Sequence, residues 1–450
     1  MATASSSGLS SDLAGGADTI VARATPAGRG ALAMIRISGS AAAEIAGVVC
    51  PAADFSSGWR ASLAALLDST GRVLDHGVVI PYPAPRSYTG EDMFEVTVHG
   101  APYLVEGLID ACVTAGARRA QPGEFTRRAV ANGKLDLVQA EAIRDLVAAE
   151  TAWQLRNARE QLAGALSEAF GGLRKELVDL LAALEASLDY EAQGVEVPQE
   201  DLAEKIASCR GAVGRLVSTA GAGQRIRDGA GVVILGPPNA GKSTLFNLLC
   251  GTERAIVSPH PGTTRDVIEA EIDIDGVRMV LRDTAGLRAE GDRVESEGHR
   301  RAVGAAAAAD LVILMWPLGG ARGEDPPDAP SGVAVIPVRS KADLGDHETA
   351  PAGWLAVSCH TGQGIDRLRA RLAEAVAGEI SDLGGAVAIA ARHRRSLECA
   401  ARDLDGCDPR HPELATEHVR WAVRSVDELI GDICTEDVLD AIYRDFCVGK

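Results

Sequence analysis

Apolar residues recur along this chain with changing period, and each change marks a region. Near the start, Asp18-Thr-Ile-Val-Ala and Ala31-Leu-Ala-Met-Ile-Arg-Ile are separated by a Pro/Gly turn, which predicts a strand pair. Residues 73–80 and 93–98 add strands, and 103–115 carries apolar residues at helical spacing. From residue 134 the pattern lengthens. Leu155, Leu162, Leu166, Leu173, Leu177, Leu181, Leu184 and Leu188 recur at intervals of 3, 4 and 7, as in long amphipathic helices packed on one another. Gly and Pro at 194–198 break the run, another helix follows to about residue 220, and helical character returns from about residue 386. Between them, strand-like runs at 232–235, 279–281, 311–315, 333–338 and 354–357 alternate with helical stretches. That alternation predicts a mostly parallel sheet with helices on both faces, and 321–332 is a Pro/Gly/Asp-rich surface loop.

The expected fold class is therefore multidomain, α+β and α/β. A disordered tail at 1–17 precedes an α+β domain at 18–132. An all-α helical domain is discontinuous, with its parts at 133–227 and 379–450, and a P-loop α/β domain at 228–378 is inserted between them. Two unrelated helical flanks are the alternative. With 450 residues, 46% of them apolar, there is material for two or three cores. No apolar run approaches a membrane span, and the first 18 residues lack the features of a secretory signal, so a cytoplasmic protein is expected. Nine scattered cysteines without paired spacing argue against a disulfide framework or structural zinc. The net charge of −18 disfavours wholesale coating of nucleic acid but leaves room for a local basic patch.

Chemistry concentrates in the inserted domain. Gly236-Pro-Pro-Asn-Ala-Gly-Lys-Ser-Thr fits G-x-x-x-x-G-K-[ST], with a β-branched run before it and an amphipathic segment after it. Asn239, Ala240, Gly241, Lys242, Ser243 and Thr244 are thus expected to wrap phosphates, with Lys242 on the β- and γ-phosphates and the Ser243 hydroxyl on Mg²⁺. Pro261-Gly-Thr-Thr-Arg-Asp and Asp283-Thr-Ala-Gly follow in the order of a Ras-like GTPase. In that layout Thr264 completes the Mg²⁺ shell, Asp283 holds the ion through water, and Thr284, Ala285 and Gly286 form the second switch. Ser340-Lys-Ala-Asp chooses the base: Asp343 can accept from guanine N1–H and the 2-amino group, and Lys341 covers the ring. Guanine-binding proteins normally have Asn where Ser340 stands. Ser358, Cys359 and His360 occupy the place of a further backbone contact to the base. GTP is expected over ATP, mainly on Asp343. Leu287 takes the place of the water-positioning Gln, so another group must orient the water, with Asp292, Glu295 and Glu297 as candidates.

Beyond these motifs, Pro26-Ala-Gly-Arg-Gly, Arg36-Ile-Ser-Gly, Tyr88-Thr-Gly-Glu-Asp, Pro122-Gly-Glu-Phe, Lys134-Leu-Asp-Leu-Val-Gln-Ala-Glu-Ala and a terminal Phe446-Cys-Val-Gly-Lys stand in order. Over essentially its whole length the chain resembles the tRNA modification GTPase family MnmE, also called TrmE. The resemblance implies an N-terminal folate-binding domain, a discontinuous helical domain and an inserted Ras-like domain. It implies K⁺ held by Asn239 and by the loop 258–263, with Ser258, His260 and Thr263 among its ligands, in place of an arginine finger. It selects Glu295 as the residue that orients the water. It suggests Arg36, Glu95, Lys134 and Lys450 around a formyl-tetrahydrofolate-type cofactor, and Cys447 in the modification chemistry. The partners implied are a second copy of the chain, an MnmG-type flavoprotein that carries the FAD, and tRNA, whose wobble uridine receives a (carboxymethyl)aminomethyl or aminomethyl group. The main competing reading is a ribosome-assembly switch of the Era kind, against which stand the folate-type N-terminus and the lack of a G-x-x-G clamp in a basic helical context. An inactive scaffold would need a damaged phosphate loop, and this one is intact.

Overall fold

A computed structural model of the chain describes residues 18–55, 57–192, 199–252, 254–255, 268–283, 304, 306, 308–317, 332–344, 353–381, 389–431, 439, 442–444, 446 and 448–449. The tail at 1–17 and most of the loop at 321–332 lie outside them. The chain divides into two compact units, one comprising Met1–Arg144, Leu162–Gly171 and Val426–Lys450, the other Asp145–Gln161 and Gly172–Ser425.

In chain order the first unit begins with β1 (Ile20–Arg23), β2 (Leu32–Ser38), α1 (Ala42–Val49), β3 (Ser62–Leu67), β4 (Val73–Tyr82) and β5 (Met93–His99). It continues with α2 (Pro102–Thr114), β6 (Arg118–Arg119), α3 (Glu124–Ala131) and α4 (Leu137–Ala148). The six strands form one sheet in the order β3-β4-β5-β2-β1-β6, antiparallel except for the β1–β6 pair. The strand pair expected at 18–39 is β1–β2. Alternation along β2 buries Ala33, Ile35 and Ile37 in a core closed by Ile45 of α1 and Leu108 of α2, while Met34 and Arg36 face the other way. Pro102 starts α2, where its fixed φ costs nothing and its missing N–H is not needed. The strand at Ser62–Leu67 was not anticipated, because Leu and Ala favour helix. Pairing with β4 overrides that preference.

The rest of the chain carries α5 (Ala152–Leu162), α6 (Ala165–Ala192), α7 (Gln199–Ser218), α8 (Ala220–Asp228), β7 (Ala230–Leu235), α9 (Lys242–Thr252), β8 (Arg254–Ala255), β9 (Ile268–Ile274) and β10 (Val277–Asp283). Then come β11 (Leu311–Pro317), β12 (Ala334–Ser340), β13 (Leu355–Ala356), α10 (Ile365–Ser381), α11 (Ala391–Asp405) and α12 (Pro412–Ile430). Among the described residues of α6 the buried apolar positions are Leu166, Phe170, Leu173, Leu177, Leu180 and Leu184. Leu180, not Leu181, continues the stripe, and Leu155 on α5 is exposed. The sequence spacing was one residue out of phase there, as a 3.6-residue period drifts from a strict repeat.

The second sheet runs β13-β12-β11-β7-β10-β9-β8. Its five strands from β13 to β10 are mutually parallel, with β9 and β8 antiparallel at one edge. The mostly parallel sheet is thus present, with an antiparallel edge the sequence reading lacked. β7 lies at its centre. Val232 and Ile234 join Leu245, Phe246 and Leu249 of α9 and Leu368 of α10 in one core, and Val233 packs on the other face with Ala306 and Val312. Among the described residues no helix is long and apolar enough to cross a membrane, and no cysteine is disulfide-bonded.

Candidate functional site

β7 ends at Leu235, and the next residue, Gly236, has φ 154°. A Cβ there would run into the Met315 carbonyl oxygen on β11, so only glycine lets the chain leave the sheet at this point. Asn239 takes the left-handed conformation with φ 61°, and Gly241 follows with φ 92°. Such successive turns aim backbone N–H groups inward to cradle anions. Lys242 opens α9 and folds back over its own loop, Nζ donating to the carbonyl oxygens of Gly236 at 2.8 Å and Pro237 at 2.9 Å. Ala240 is buried, while Asn239, Ser243 and Thr244 are exposed at the helix start.

Parallel pairing brings the other predicted groups to the same edge. Asp283, the last residue of β10, lies opposite Ile234 of β7 and is buried. At the end of β12, Lys341 has φ 61°, which turns the chain into a short 3₁₀ segment, Ala342–Leu344. The Ser358 hydroxyl donates to Asp343 Oδ1 at 2.6 Å and accepts from the Thr361 N–H at 3.2 Å. This bond, with the carboxyl's own backbone amide, holds Asp343 below its usual pKa, so the exposed carboxylate keeps its charge. Cys359 is half-buried, which raises its thiol pKa, and His360 is exposed. The phosphate loop, the buried Asp283 and the exposed Asp343 therefore stand at or just past the C-terminal ends of parallel strands of one sheet, where open α/β sheets bind ligands. Asp283 and Ser243 suit a hard cation beside the phosphates, and the exposed Asn239 amide offers an oxygen next to them.

The expected positions Ser258, His260, Thr263, Thr264, Thr284, Ala285, Gly286, Glu295, Cys447 and Lys450 lie outside the described residues.

In the first unit, register does the positioning. Arg36 on β2 pairs directly with Glu95 on β5. Its guanidinium binds Glu95 Oε1 through Nη2 at 2.6 Å and Nε at 3.1 Å, and donates from Nη1 to the Gly449 carbonyl at 3.2 Å. Tyr82 donates to Glu95 Oε2 at 3.0 Å. Burial, and then the Glu95 charge, push the Tyr82 hydroxyl up to about 12. Glu95 and Lys134 line a cavity of about 510 Å³ with Trp59, Tyr82, Arg86, Ser87, Tyr88 and Met93. Arg36 does not line it but fixes Glu95, and stacks 5.2 Å from the Tyr88 ring centre. Flat aromatic walls and a carboxylate fit a planar, donor-rich heterocycle such as a pterin. The aromatic residues were missed in the sequence, although three of the chain's ten Trp and Tyr residues meet here. They are far apart along the chain, and pairing of β4 with β5 and the loop before β3 gather them.

The second unit therefore defines a P-loop nucleotide-binding protein with a guanine-type base loop. The family description "GTP-binding protein TrmE N-terminus" matches residues 19–134, and "MnmE helical domain" matches residues 137–447. The tRNA modification GTPase MnmE of Hyphomonas neptunium is 44% identical over 446 residues, covering 96% of this chain and 99% of that protein. Its counterpart in Methylobacterium radiotolerans is 42% identical over 443 residues, with 96% and 99% covered. The chain belongs to the MnmE (TrmE) family of tRNA modification GTPases.

Proposed function

We propose that this chain hydrolyses GTP to GDP and phosphate and that the cycle drives modification of the wobble uridine of certain tRNAs, jointly with a flavoprotein that carries FAD. The observation that carries the reading is the convergence of Lys242, Asp283 and Asp343 on one edge of one parallel sheet. Similarity to MnmE proteins over 96% of the chain favours it over a ribosome-assembly switch.

The loop's N–H groups and Lys242 bind the phosphates, and Asp343 reads guanine. Ser243 and Thr264 would hold Mg²⁺, with Asp283 reaching it through water. Asn239, Ser258, His260 and Thr263 would hold K⁺. Together these cations supply positive charge where the γ-phosphoryl group transfers. Glu295 orients the attacking water, whose oxygen bonds to the γ-phosphorus as the bond to the β–γ bridging oxygen breaks. The switch residues Thr284, Ala285 and Gly286 follow the γ-phosphate, and two inserted domains pair in a homodimer. Residues 133–227 and 379–450 act as one helical domain around the inserted domain at 228–378. Glu95, Trp59 and Tyr88 of the domain at 18–132, with Lys134 just past its end, receive a formyl-tetrahydrofolate-type cofactor. Arg36 holds Glu95 in place, and Lys450 meets the cofactor's carboxylates. Cys447 serves the modification chemistry, and the work is cytoplasmic.

Reconstitution tests the reading. The chain, the flavoprotein, GTP and a reduced folate are mixed with unmodified tRNA, an amine donor (ammonium or glycine) and a reductant for the flavin, and modified nucleosides are measured. Product that requires the first four components is expected. Product formed equally without GTP or without this chain overturns the proposal.

A further inference from the structure

The loop that joins β1 to β2 is tied down by hydrogen bonds yet left open to solvent. At its base Arg23 donates from Nε to Thr25 Oγ1 at 3.2 Å and from Nη2 to the Gly28 carbonyl at 3.1 Å. Thr25 Oγ1 in turn accepts from the Met34 N–H at 3.3 Å, and the Gly30 N–H donates to the Gly100 carbonyl at 3.1 Å. Pro26 through Leu32 are nevertheless all exposed, and a Cβ added at Gly28 would meet nothing within 4 Å. The tip carries Arg29. Arg118 and Arg119, also exposed, are each paired with two carboxylates, whereas Arg29 makes no ion pair or hydrogen bond among the described residues. The base of the loop adjoins the C-terminal tail. A Cβ on Gly449 would run into the Arg23 carbonyl and Ala24 Cα, Arg36 Nη1 holds the Gly449 carbonyl, and Val448 pairs with Pro122. Cys447, given above to the modification chemistry, is the next residue in that tail.

We infer that Arg29 binds a phosphodiester of the tRNA anticodon loop beside the wobble uridine, and that the loop at 24–31 holds that strand next to the C-terminal tail. A chain of net charge −18 repels RNA as a whole, so the RNA has to be met by local cations. A guanidinium without a carboxylate partner keeps its full charge for a ligand, and its planar fork matches two phosphate oxygens. The open side of Gly28 lets a nucleic-acid backbone come close. Anticodon loops are single-stranded, which leaves their phosphates and splayed bases within reach of one protein surface. The inference rests on the tRNA-modification reading above and adds to it a contact for the substrate.

The test measures tRNA binding by the full-length chain in complex with the flavoprotein, for the wild type and Arg29→Ala. The tRNA is ligated from two halves, with natural linkages or with neutral methylphosphonates on both sides of the wobble uridine. Loss of one charge-assisted contact should weaken binding of the natural tRNA about tenfold. It should also reduce the slope of log affinity against log salt by about 0.7. Arg29→Ala should be about tenfold less sensitive than the wild type to the neutral linkages, because the contact they remove is already gone. Its unfolding midpoint should match the wild type, since the side chain is exposed and unpaired. Unchanged affinity in Arg29→Ala, or equal sensitivity of the two proteins to the neutral linkages, overturns the inference and leaves the tRNA reading standing. A wild-type complex that does not bind the natural tRNA overturns the tRNA reading itself, and the inference with it.

Discussion

One methyl group at Gly236 tests the geometry on which the phosphate loop depends. A Cβ at this residue meets the Met315 carbonyl oxygen and lies 3.1 Å from Met315 Cβ, and φ is 154°. The obstacle is the backbone of β11, in the middle of the sheet, so no side-chain rotation relieves it. Overpacking costs about 1–3 kcal/mol, and an unfavourable backbone conformation about as much again. Gly236→Ala should therefore lose about 2–6 kcal/mol of a net stability of about 5–15 kcal/mol. Gly241 provides the control. Its φ is 92°, but the nearest atom to an added Cβ is Met315 Cε at 3.8 Å, an ordinary contact. Gly241→Ala then carries backbone strain alone, about 1–3 kcal/mol. Thermal unfolding followed by a GDP-binding titration separates the two. At about 2–4 °C per kcal/mol, Gly236→Ala should lower the midpoint of the nucleotide-binding unit by roughly 4–24 °C, more than Gly241→Ala does. Adding Met315→Ala should not restore it. A wild-type midpoint in Gly236→Ala, or rescue by Met315→Ala, would refute the reasoning.

Ser358→Ala removes the donor that orients Asp343 and lets its carboxyl return towards its usual pKa. Competition binding should then show weaker GTP binding and a smaller preference for GTP over ATP, and an unchanged preference counts against the assignment. Tyr82 gives a pH dependence. Its phenol, near 10 when unfolded, is pushed up to about 12 in the fold, so the neutral form is favoured there. That contribution is complete below pH 10 and is lost as the pH rises from about 10 to about 12. Tyr82→Phe should flatten the decline of the unfolding midpoint across this window, and equal slopes would contradict the Glu95 contact. Burial pushes the Cys50 and Cys112 thiols up to about 12, whereas Cys399 is half-exposed on α11. Mass-resolved labelling at pH 8 should modify Cys399 before Cys50 and Cys112, which stay unmodified until the chain unfolds.

The phosphate loop was legible because its chemistry is local. Gly236, Lys242 and Ser243 lie within eight residues, and their conformations follow from glycine positions in the sequence itself. The same holds for Asp343 and, through strand order, for Asp283. Other features depend on pairing partners that no local pattern names. Ser62–Leu67 reads as helix and becomes a strand only against β4. Ile268–Ile274 alternates cleanly, yet it was not among the strands expected from the sequence. The cavity in the first unit draws Trp59, Tyr88 and Lys134 from three separate stretches, and Arg36 matters there through its register with Glu95. Ser340 was conspicuous as a departure from Asn, while the burial of its hydroxyl emerged only from the packing of β12.

In the proposed mechanism, GTP hydrolysis depends on K⁺ and on a positioned carboxylate in place of Gln. That dependence is tested most directly by comparing hydrolysis in K⁺ and Na⁺ buffers for the wild type and Glu295→Ala. A large K⁺-specific stimulation, abolished in Glu295→Ala while GDP binding persists, is expected. Equal rates in the two salts, or full activity in Glu295→Ala, would contradict it.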